Sequence, residues 1–281
     1  MIFPDGRYAC AAAQGDGEHR RRIHALAGSV SSGDHSSADH GARREWQARK
    51  AAEQRRNYEK RRMSELARSR REEIVARYAW EPAEVLRESP QEMEDPIVRW
   101  DPRHFLATLY SPDALLWTGE VHHSGPAHAR HWRTCAEWQA CKEPREVGPF
   151  TSPAIWQPGI HTRSAVHVAA APYLVLDFDG FDGVKPQTPE EMKAHVRASL
   201  AMIRWLRERY HWQLAAILHT GGKSLHAWFH TPPGLEEMRA AAPALGMDAG
   251  LIAHPEHACR LPGAVHQGTG KKGRVVWVGG D

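Results

Sequence analysis

The sequence has no long hydrophobic run and no large excess of one charge. No apolar segment approaches the roughly 20 residues that a membrane-spanning helix requires. Residues 1–14 lack the basic start and continuous apolar stretch of a secretory signal. The net charge of +3 is only mildly basic, so the total charge does not by itself predict a nucleic-acid partner. We therefore expect a cytoplasmic protein that does not enter a membrane.

Cysteine is scarce as well. Only four cysteines occur in 281 residues, at Cys10, Cys135, Cys141 and Cys259. Four cysteines in a chain of this length do not form a disulfide framework, and none belongs to a C-x-x-C pair. We expect free thiols.

Possible zinc ligands are nevertheless concentrated in one segment. They are His122, His123, His128, His131, Cys135 and Cys141. Their spacing matches no established pair of ligands in a zinc module. Surface histidines and buried thiols are the simpler interpretation, and a structural zinc is not predicted.

Changes in composition divide the chain into four regions. Residues 1–41 have few large apolar side chains and no sustained periodicity, which predicts a disordered leader. Residues 42–80 are rich in Arg, Lys, Glu, Gln and Ala, which predicts a basic helical extension. Its cations suit either a solvated helix face with ion pairs or contact with phosphate groups. Residues 81–172 and 173–281 then form the two parts of the main domain.

One apolar stretch ends in two acids, Tyr173-Leu174-Val175-Leu176-Asp177-Phe178-Asp179-Gly180. The apolar residues predict a strand, on which alternate side chains share a face. Asp177 and Asp179 should therefore point the same way, about 7 Å apart along the backbone. Two carboxylates on one face can share divalent metal ions.

The residues that follow predict the element order β-α-β-β-α-β. The elements are a strand ending at Phe178, a helix opened by the Thr188-Pro189-Glu190-Glu191 capping box and running to about Tyr210, strands at Leu214–His219 and Leu225–His230, a helix from about Gly234 to Leu245, and a strand at Arg274–Val278. This is the order of a split βαβ, or ferredoxin-like, antiparallel sheet with both helices on one face. An α/β N-terminal part precedes it, and the fold class is α+β.

We expect the second face of this sheet to be open. Leu225, Ala227 and Phe229 should face the helices, which leaves His226 and Trp228 on the opposite face. If the two acids also point outward, they and His226 line one surface.

The turn from Thr220 to Ser224 adds backbone N–H groups, the Lys223 ammonium and a hydroxyl for phosphate oxygens. Acids and a glycine turn together predict a site for phosphate bound through Mg²⁺ or Mn²⁺. Arg163 lies close enough upstream of the acids to reach the same site, although a structural ion pair explains it equally well.

Three segments resemble the archaeo-eukaryotic primase superfamily, in particular the primase-polymerase domains of phages, plasmids and other bacterial mobile elements. They are Leu176-Asp177-Phe178-Asp179, Thr220-Gly221-Gly222-Lys223-Ser224-Leu225-His226-Ala227-Trp228, and Arg260-Leu261-Pro262-Gly263. The resemblance covers roughly residues 110 to 278. It implies that residues 81–172 are the N-terminal part of a catalytic domain and that residues 173–281 are its RRM-like palm.

The resemblance also implies template-directed nucleotidyl transfer with two metal ions. Asp177 and Asp179 correspond to the first metal-binding motif, and Asp248 is the candidate third acid. Ser224 and His226 correspond to the motif that holds the nucleoside triphosphate, with Arg260 and Lys223 as phosphate contacts. The implied partners are single-stranded DNA, nucleoside triphosphates and a separate replicative helicase.

Two other functions remain open at this stage. The stretch from Leu174 to Gly180 also looks like the first motif of haloacid dehalogenase-type phosphatases, whose first acid is the nucleophile. Those enzymes need a parallel sheet, and the short turn at 220–224 cannot make a parallel crossover. The other alternative is a non-catalytic module that binds single-stranded DNA through the basic helix and exposed aromatics such as Trp228.

Overall fold

The structure is a computed structural model that describes residues 37–92, 100–252 and 254–280. The predicted leader, residues 1–41, lies outside this part except for 37–41, which are helical. The chain divides into two units, Met1–Glu59 and Lys60–Asp281. No helix in the described residues is long and apolar enough to cross a membrane.

The described part combines helices with antiparallel sheets and is an α+β structure. Its helices are α1 (Ser37–Arg77), α2 (Pro82–Arg87), α3 (Pro102–Leu109), α4 (Cys135–Gln139), α5 (Pro189–Arg209) and α6 (Leu235–Ala241). Its strands are β1 (Leu115–Gly119), β2 (Trp132–Thr134), β3 (Phe150–Thr151), β4 (Ile155–Trp156), β5 (Val168–Ala170), β6 (Tyr173–Phe178), β7 (Leu214–His219), β8 (Leu225–His230), β9 (Cys259–Arg260) and β10 (Arg274–Val278).

The central sheet has the strand order β10-β7-β8-β6, and every neighbouring pair is antiparallel. The predicted split βαβ is confirmed, because β8 lies between β6 and β7. The last strand differs from a ferredoxin-like sheet, in which it lies beside the first strand. Here β10 pairs with β7, while Met247 forms a bridge to Phe178 at the end of β6.

One face of this sheet packs against α5. The Thr188 hydroxyl accepts a hydrogen bond from the Glu191 N–H, so the predicted capping box opens the helix. Leu200, Ile203 and Leu206 of α5 are buried in the same core as Leu225, Ala227 and Phe229 of β8, as the sequence predicts. This core fixes β8 against the helical layer.

The opposite face is covered, so the expectation of an open surface is wrong. Tyr173, Val175 and Trp228 belong to a second core that includes Phe105 and Leu106 of α3. Trp228 is fully buried, and its ring meets Phe105 edge to face at 5.5 Å between centroids. Large apolar side chains on both faces of a strand favour burial on both sides. Trp228 is therefore not an exposed aromatic that could stack on DNA.

A smaller sheet, in the order β2-β1-β3-β9, joins early and late parts of the chain. In it Phe150 of β3 pairs with Arg260 of β9. The Arg260-Leu261-Pro262-Gly263 segment is thereby attached to the N-terminal part of the domain. Such two-residue strands carry no periodicity that the sequence could reveal.

The end of α1 belongs to the unit Lys60–Asp281. Ile74 is buried in the core beneath the sheet. Arg71 bonds to the Asp182 carboxylate at 3.1 Å and to the Ala244 carbonyl at 3.0 Å. The helix begins five residues before the predicted start, and its last turns are part of a folded core rather than an extension.

Candidate functional site

Asp177 and His226 face each other across the pair β6 and β8. His226 Nε2 lies 3.6 Å from Asp177 Oδ1, and His226 is buried. Burial acts to raise the pKa of the Asp177 carboxyl, but His226, Ser224 and Lys185 outweigh it and hold the pKa below its usual range. Asp177 is therefore a carboxylate at neutral pH. Its buried Oδ1 has no hydrogen-bond partner among the described residues, and neither has His226 Nδ1.

Asp179 follows the end of β6, which stops at Phe178. Its two carboxylate oxygens pair with two lysines, Oδ2 with Lys185 Nζ at 2.6 Å and Oδ1 with Lys223 Nζ at 3.4 Å. The second predicted acid is therefore present beside the predicted phosphate-binding lysine. Both of its oxygens are already neutralised by side-chain cations.

Asp248 is placed beside the first acid by backbone pairing. Its N–H donates to the Asp177 carbonyl at 2.9 Å. The exposed Asp248 carboxylate accepts a hydrogen bond from the Gly250 N–H at 2.8 Å, which fixes the turn that follows. The position chosen from the sequence for the third acid is thus adjacent to β6.

Lys185 is the site residue that the sequence analysis missed. Gly180 allows a tight turn here, because a Cβ at that position would meet the Val184 carbonyl. This turn returns Lys185 to Asp179. Its hydrogen bond to Asp179 raises the pKa of the Lys185 ammonium, and the charges of Asp179, Asp177 and Asp248 add to the effect. The sequence signal that could have identified Lys185 is a lysine shortly after the acids, with Gly180 and Gly183 between them to let the chain turn back.

The turn between β7 and β8 holds Lys223 and Ser224 in place. The Thr220 hydroxyl bonds the Ser224 carbonyl at 3.0 Å and lies 3.1 Å from the Ser224 hydroxyl. Gly221 has a φ of +84°, and a Cβ there would lie 2.6 Å from the Lys271 carbonyl. The turn therefore packs directly on the 264–273 loop and needs glycine to do so.

Below the turn, burial lowers the pKa of His219 to about 4, with Arg274 and Lys271 contributing. His219 is neutral at pH 7, and its Nδ1 accepts the Gly221 N–H at 3.1 Å.

A groove of about 810 Å³ adjoins this turn. Its cationic lining residues are Lys193, Arg197, Lys223, Lys271, Lys272 and Arg274. None of the described residues that line it is acidic. Lys223 lines the groove and also pairs with Asp179, so the groove adjoins the acids.

The two predicted arginines differ in their surroundings. Arg260 stacks on Phe150 at 4.9 Å and donates to the Val265 carbonyl at 3.3 Å; burial lowers its pKa, against the charges of Glu120 and Asp177. Arg163 stacks on Trp117 at 4.2 Å and donates to the carbonyls of Val121 and Glu256. The Arg163 hydrogen bonds in the described part go to backbone carbonyls and not to the acids. A structural role explains its position.

Asp177, Asp179 and Asp248, which we name the acid cluster, suit a divalent cation in charge but are not closed around one. In the described residues, two sets of three possible ligands have ligand atoms within 4.8 Å of one another, and neither set includes these acids. Asp177 Oδ1 lies 3.6 Å from His226 Nε2, and the three acids share an attraction for the Lys185 ammonium. Magnesium or manganese ions would have to displace Lys185 from Asp179.

The first of those two sets is His123, His128 and His131, which we name the histidine cluster. Burial lowers the pKa of His123 and of His131, and the neighbouring histidines lower both further. The neutral, ligating form is favoured for both. The second set is His254, Glu256 and His257, in which Arg239 already contacts His254 at 3.3 Å.

No protein-family model, curated protein or solved structure matches this chain. The resemblance to the primase superfamily therefore rests on the three sequence segments alone.

Proposed function

We propose that this protein is a primase-polymerase, a template-directed nucleotidyltransferase that makes or extends chains on single-stranded DNA in the cytoplasm. The observation that carries the proposal is the position of Lys223. It lies 3.4 Å from Asp179 and also lines the groove. One ammonium thus links a cluster of carboxylates to a groove that carries five further cations beside apolar side chains such as Val85, Leu86 and Met192. That combination suits a triphosphate held between metal ions and a nucleic-acid strand.

In this proposal Asp177, Asp179 and Asp248 hold Mg²⁺ or Mn²⁺. The bound ions would activate the attacking hydroxyl and neutralise phosphate charge. Asp177 is suited to the role because its lowered pKa keeps it a carboxylate at neutral pH. Lys185 balances the acids in the absence of a cation and must leave Asp179 when one binds.

The remaining side chains would hold the triphosphate. His226, 3.6 Å from Asp177, would take the nucleotide-holding role that the resemblance implies. Lys223 and Ser224 would contribute from the turn between β7 and β8, which Thr220 holds through its hydrogen bonds to Ser224. Arg260 would add a further cation for phosphate.

The groove would hold the single-stranded template, and the basic half of α1, residues 44–59, would also contact DNA. In the unit Met1–Glu59 the described side chains of α1 are exposed, and the cations include Arg49, Arg55 and Arg56. Clustered cations are what binding through counterion release requires. A separate replicative helicase would supply unwinding.

The two alternatives are less well supported. The all-antiparallel central sheet does not suit a phosphatase that needs a parallel, doubly wound sheet. The buried Trp228 weakens the case for a DNA-binding module that stacks bases on that aromatic.

The test is synthesis on a primer-free single-stranded template, with labelled ribonucleotides or deoxyribonucleotides and either Mg²⁺ or Mn²⁺. We expect products from the wild-type protein and a loss of at least about 100-fold in Asp177→Ala and Asp179→Ala, because metal ions contribute several kcal/mol to transition-state stabilisation. DNA binding should remain nearly intact in both variants. Asp113→Ala, which removes an exposed acid outside the site, is the matched control.

Equal synthesis in the two variants and the control would overturn the mechanism. Wild-type protein that binds DNA but makes no product under any of these conditions would favour the non-catalytic module instead.

A further inference from the structure

Three histidines converge at the end of the β1–β2 hairpin. His123, His128 and His131 offer ligand atoms that all lie within 4.8 Å of one another. The rings of His123 and His131 are stacked with centroids 4.0 Å apart, and those of His123 and His128 are 4.9 Å apart. None of the three is fully exposed. The sequence shows these histidines among the possible ligands concentrated at 122–141, but their spacing matches no established zinc module, and which of them meet depends on how the hairpin closes.

The local fold explains the convergence. Antiparallel pairing of β1 with β2 brings the end of β1 beside the segment that enters β2. That segment, Pro126–His131, consists of 3₁₀ turns that meet in a kink at His128, where φ is −111° and ψ is 18°. The rings of His128 and His131 have centroids 6.1 Å apart. His123 approaches them from the turn after β1.

Backbone groups orient two of the three rings. His131 Nδ1 lies 2.9 Å from the Thr118 carbonyl, which can only accept, so the proton is on Nδ1 and the lone pair is on Nε2. Arg130 Nε points at that Nε2 from 3.4 Å, as expected for an acceptor. The His131 bond is of the kind that fixes the ring of a metal-binding histidine. His123 differs, because its Nδ1 accepts the Glu120 N–H at 3.0 Å and this bond uses the Nδ1 lone pair.

Gly119 leaves the space in which the two rings meet. A Cβ at this position would lie 2.7 Å from His123 Nδ1 and 2.8 Å from His131 Nδ1. Any other residue would push these imidazoles away from the end of β1. The close approach of the rings therefore depends on a glycine under them.

We propose that His123, His128 and His131 bind one transition-metal ion, with Zn²⁺ as the first candidate, and leave a fourth position to water. Three histidines with an open fourth position are an established zinc arrangement. With Zn–N bonds of about 2.0–2.1 Å, the ligand atoms of a tetrahedral site lie about 3.3 Å apart. Binding therefore requires a contraction of up to about 1.5 Å from separations within 4.8 Å, displacement of Arg130 from His131, and loss or rearrangement of the His123 bond to Glu120.

The ligand chemistry separates this site from the acid cluster. Imidazole nitrogens select Zn²⁺, Cu²⁺ or Ni²⁺, whereas Mg²⁺ and Mn²⁺ prefer carboxylate oxygens. The inference therefore does not depend on the proposed polymerase activity. A bound ion would fasten the 120–131 loop, whose Val121 and Ser124 contact Arg163.

The test is titration of the full-length protein with Co²⁺ and with Zn²⁺. Visible absorption of Co²⁺ reports tetrahedral coordination, and competition with a chromophoric chelator gives the Zn²⁺ affinity. We expect one tetrahedral site in the wild-type protein. His123→Ala, His128→Ala and His131→Ala should each weaken Zn²⁺ binding by at least about 10- to 100-fold. Loss of a ligand's hydrogen-bond partner alone already costs that much.

The controls are His122→Ala, which removes the exposed neighbouring histidine outside the cluster, and Asp177→Ala, which alters the acid cluster. Both should bind Zn²⁺ within about 3-fold of the wild-type affinity.

Circular dichroism and thermal melting check that each variant folds, and His128→Gln replaces His128→Ala if that variant does not. Absence of tetrahedral Co²⁺ absorption, or unchanged affinity in all three histidine variants, would overturn the proposal. Equal loss in His122→Ala would refute the three-histidine assignment.

Discussion

The acid cluster and the histidine cluster are built in opposite ways. Asp177, Asp179 and Asp248 follow a recognisable order in the sequence, yet their oxygens do not close around one point. The three histidines match no sequence pattern, yet their ligand atoms lie within 4.8 Å of one another. Residues can therefore follow a recognisable order in the sequence without being close enough together to bind one ion, and residues without such an order can be close together.

The difference follows from charge. Carboxylates repel one another unless a cation lies between them, and here Lys185 and Lys223 provide that cation for Asp179. Neutral imidazoles do not repel in this way and can stack without a counter-ion. The acid cluster depends on its lysines for charge balance, whereas the histidine cluster needs no counter-ion.

Matched glycine substitutions should separate the two clusters most clearly, because each should affect the function of only one of them. Gly221→Ala places a Cβ 2.6 Å from the Lys271 carbonyl at a φ of +84°, and we expect about 1–3 kcal/mol of strain at the turn that carries Lys223. Nucleotide incorporation should fall about 10-fold or more, while Zn²⁺ affinity stays unchanged. Gly119→Ala should do the reverse, because its Cβ separates His123 from His131.

Gly270→Ala is the control for the first substitution. Gly270 also has a positive φ, +68°, but nothing lies within 4 Å of its added Cβ. This variant should retain most of the activity. If Gly221→Ala and Gly119→Ala each reduced both incorporation and Zn²⁺ binding by the same factor, the two clusters would be one coupled site.

Lys185→Met tests whether the acid cluster binds a metal ion, because it removes an ammonium that competes for Asp179. Without this ammonium the acids should bind Mn²⁺ more tightly, and the concentration for half-maximal incorporation should fall about 5-fold, in keeping with the ~1 kcal/mol upper range of exposed ion pairs. Lys142→Met makes the same charge change at an exposed position away from the acids. An unchanged Mn²⁺ requirement in Lys185→Met would count against cation binding at these carboxylates.

The smallest effect is expected from the basic half of α1, which lies outside both clusters. Replacing Arg49, Arg55 and Arg56 with Gln should weaken single-stranded DNA binding and reduce its salt slope by up to about 2, or about 0.7 per lost contact. Metal affinity should not change. Arg→Lys at the same positions keeps the charge and is the control. An unchanged salt slope would identify this surface as a solvated helix face.

Regular elements could be predicted from the sequence with good accuracy. The strands Leu214–His219, Leu225–His230 and Arg274–Val278 agree with the structure at both ends. Alternating burial also placed Leu225, Ala227 and Phe229 on the helical side. The Thr188 capping box fixed the start of α5. Each of these features depends on residues that are close together in the sequence.

Features that depend on distant segments could not be predicted. The cover over Trp228 comes from α3, more than a hundred residues earlier in the chain, and the face therefore looked open. The strands β3 and β9 are too short to show a pattern. The return of Lys185 to Asp179 depends on a tight turn at Gly180, whose geometry the letters alone do not specify.

The backbone bond from Asp248 to Asp177 has a consequence for how this sheet ends. Strand β6 lies at the edge of the sheet, and an unpaired edge can recruit a strand from another molecule. The Met247–Phe178 bridge and the Asp248 N–H occupy part of that edge, at the end that carries the acids. The segment that carries Asp248 thus also hinders pairing of β6 with a strand of another molecule at this end of the sheet.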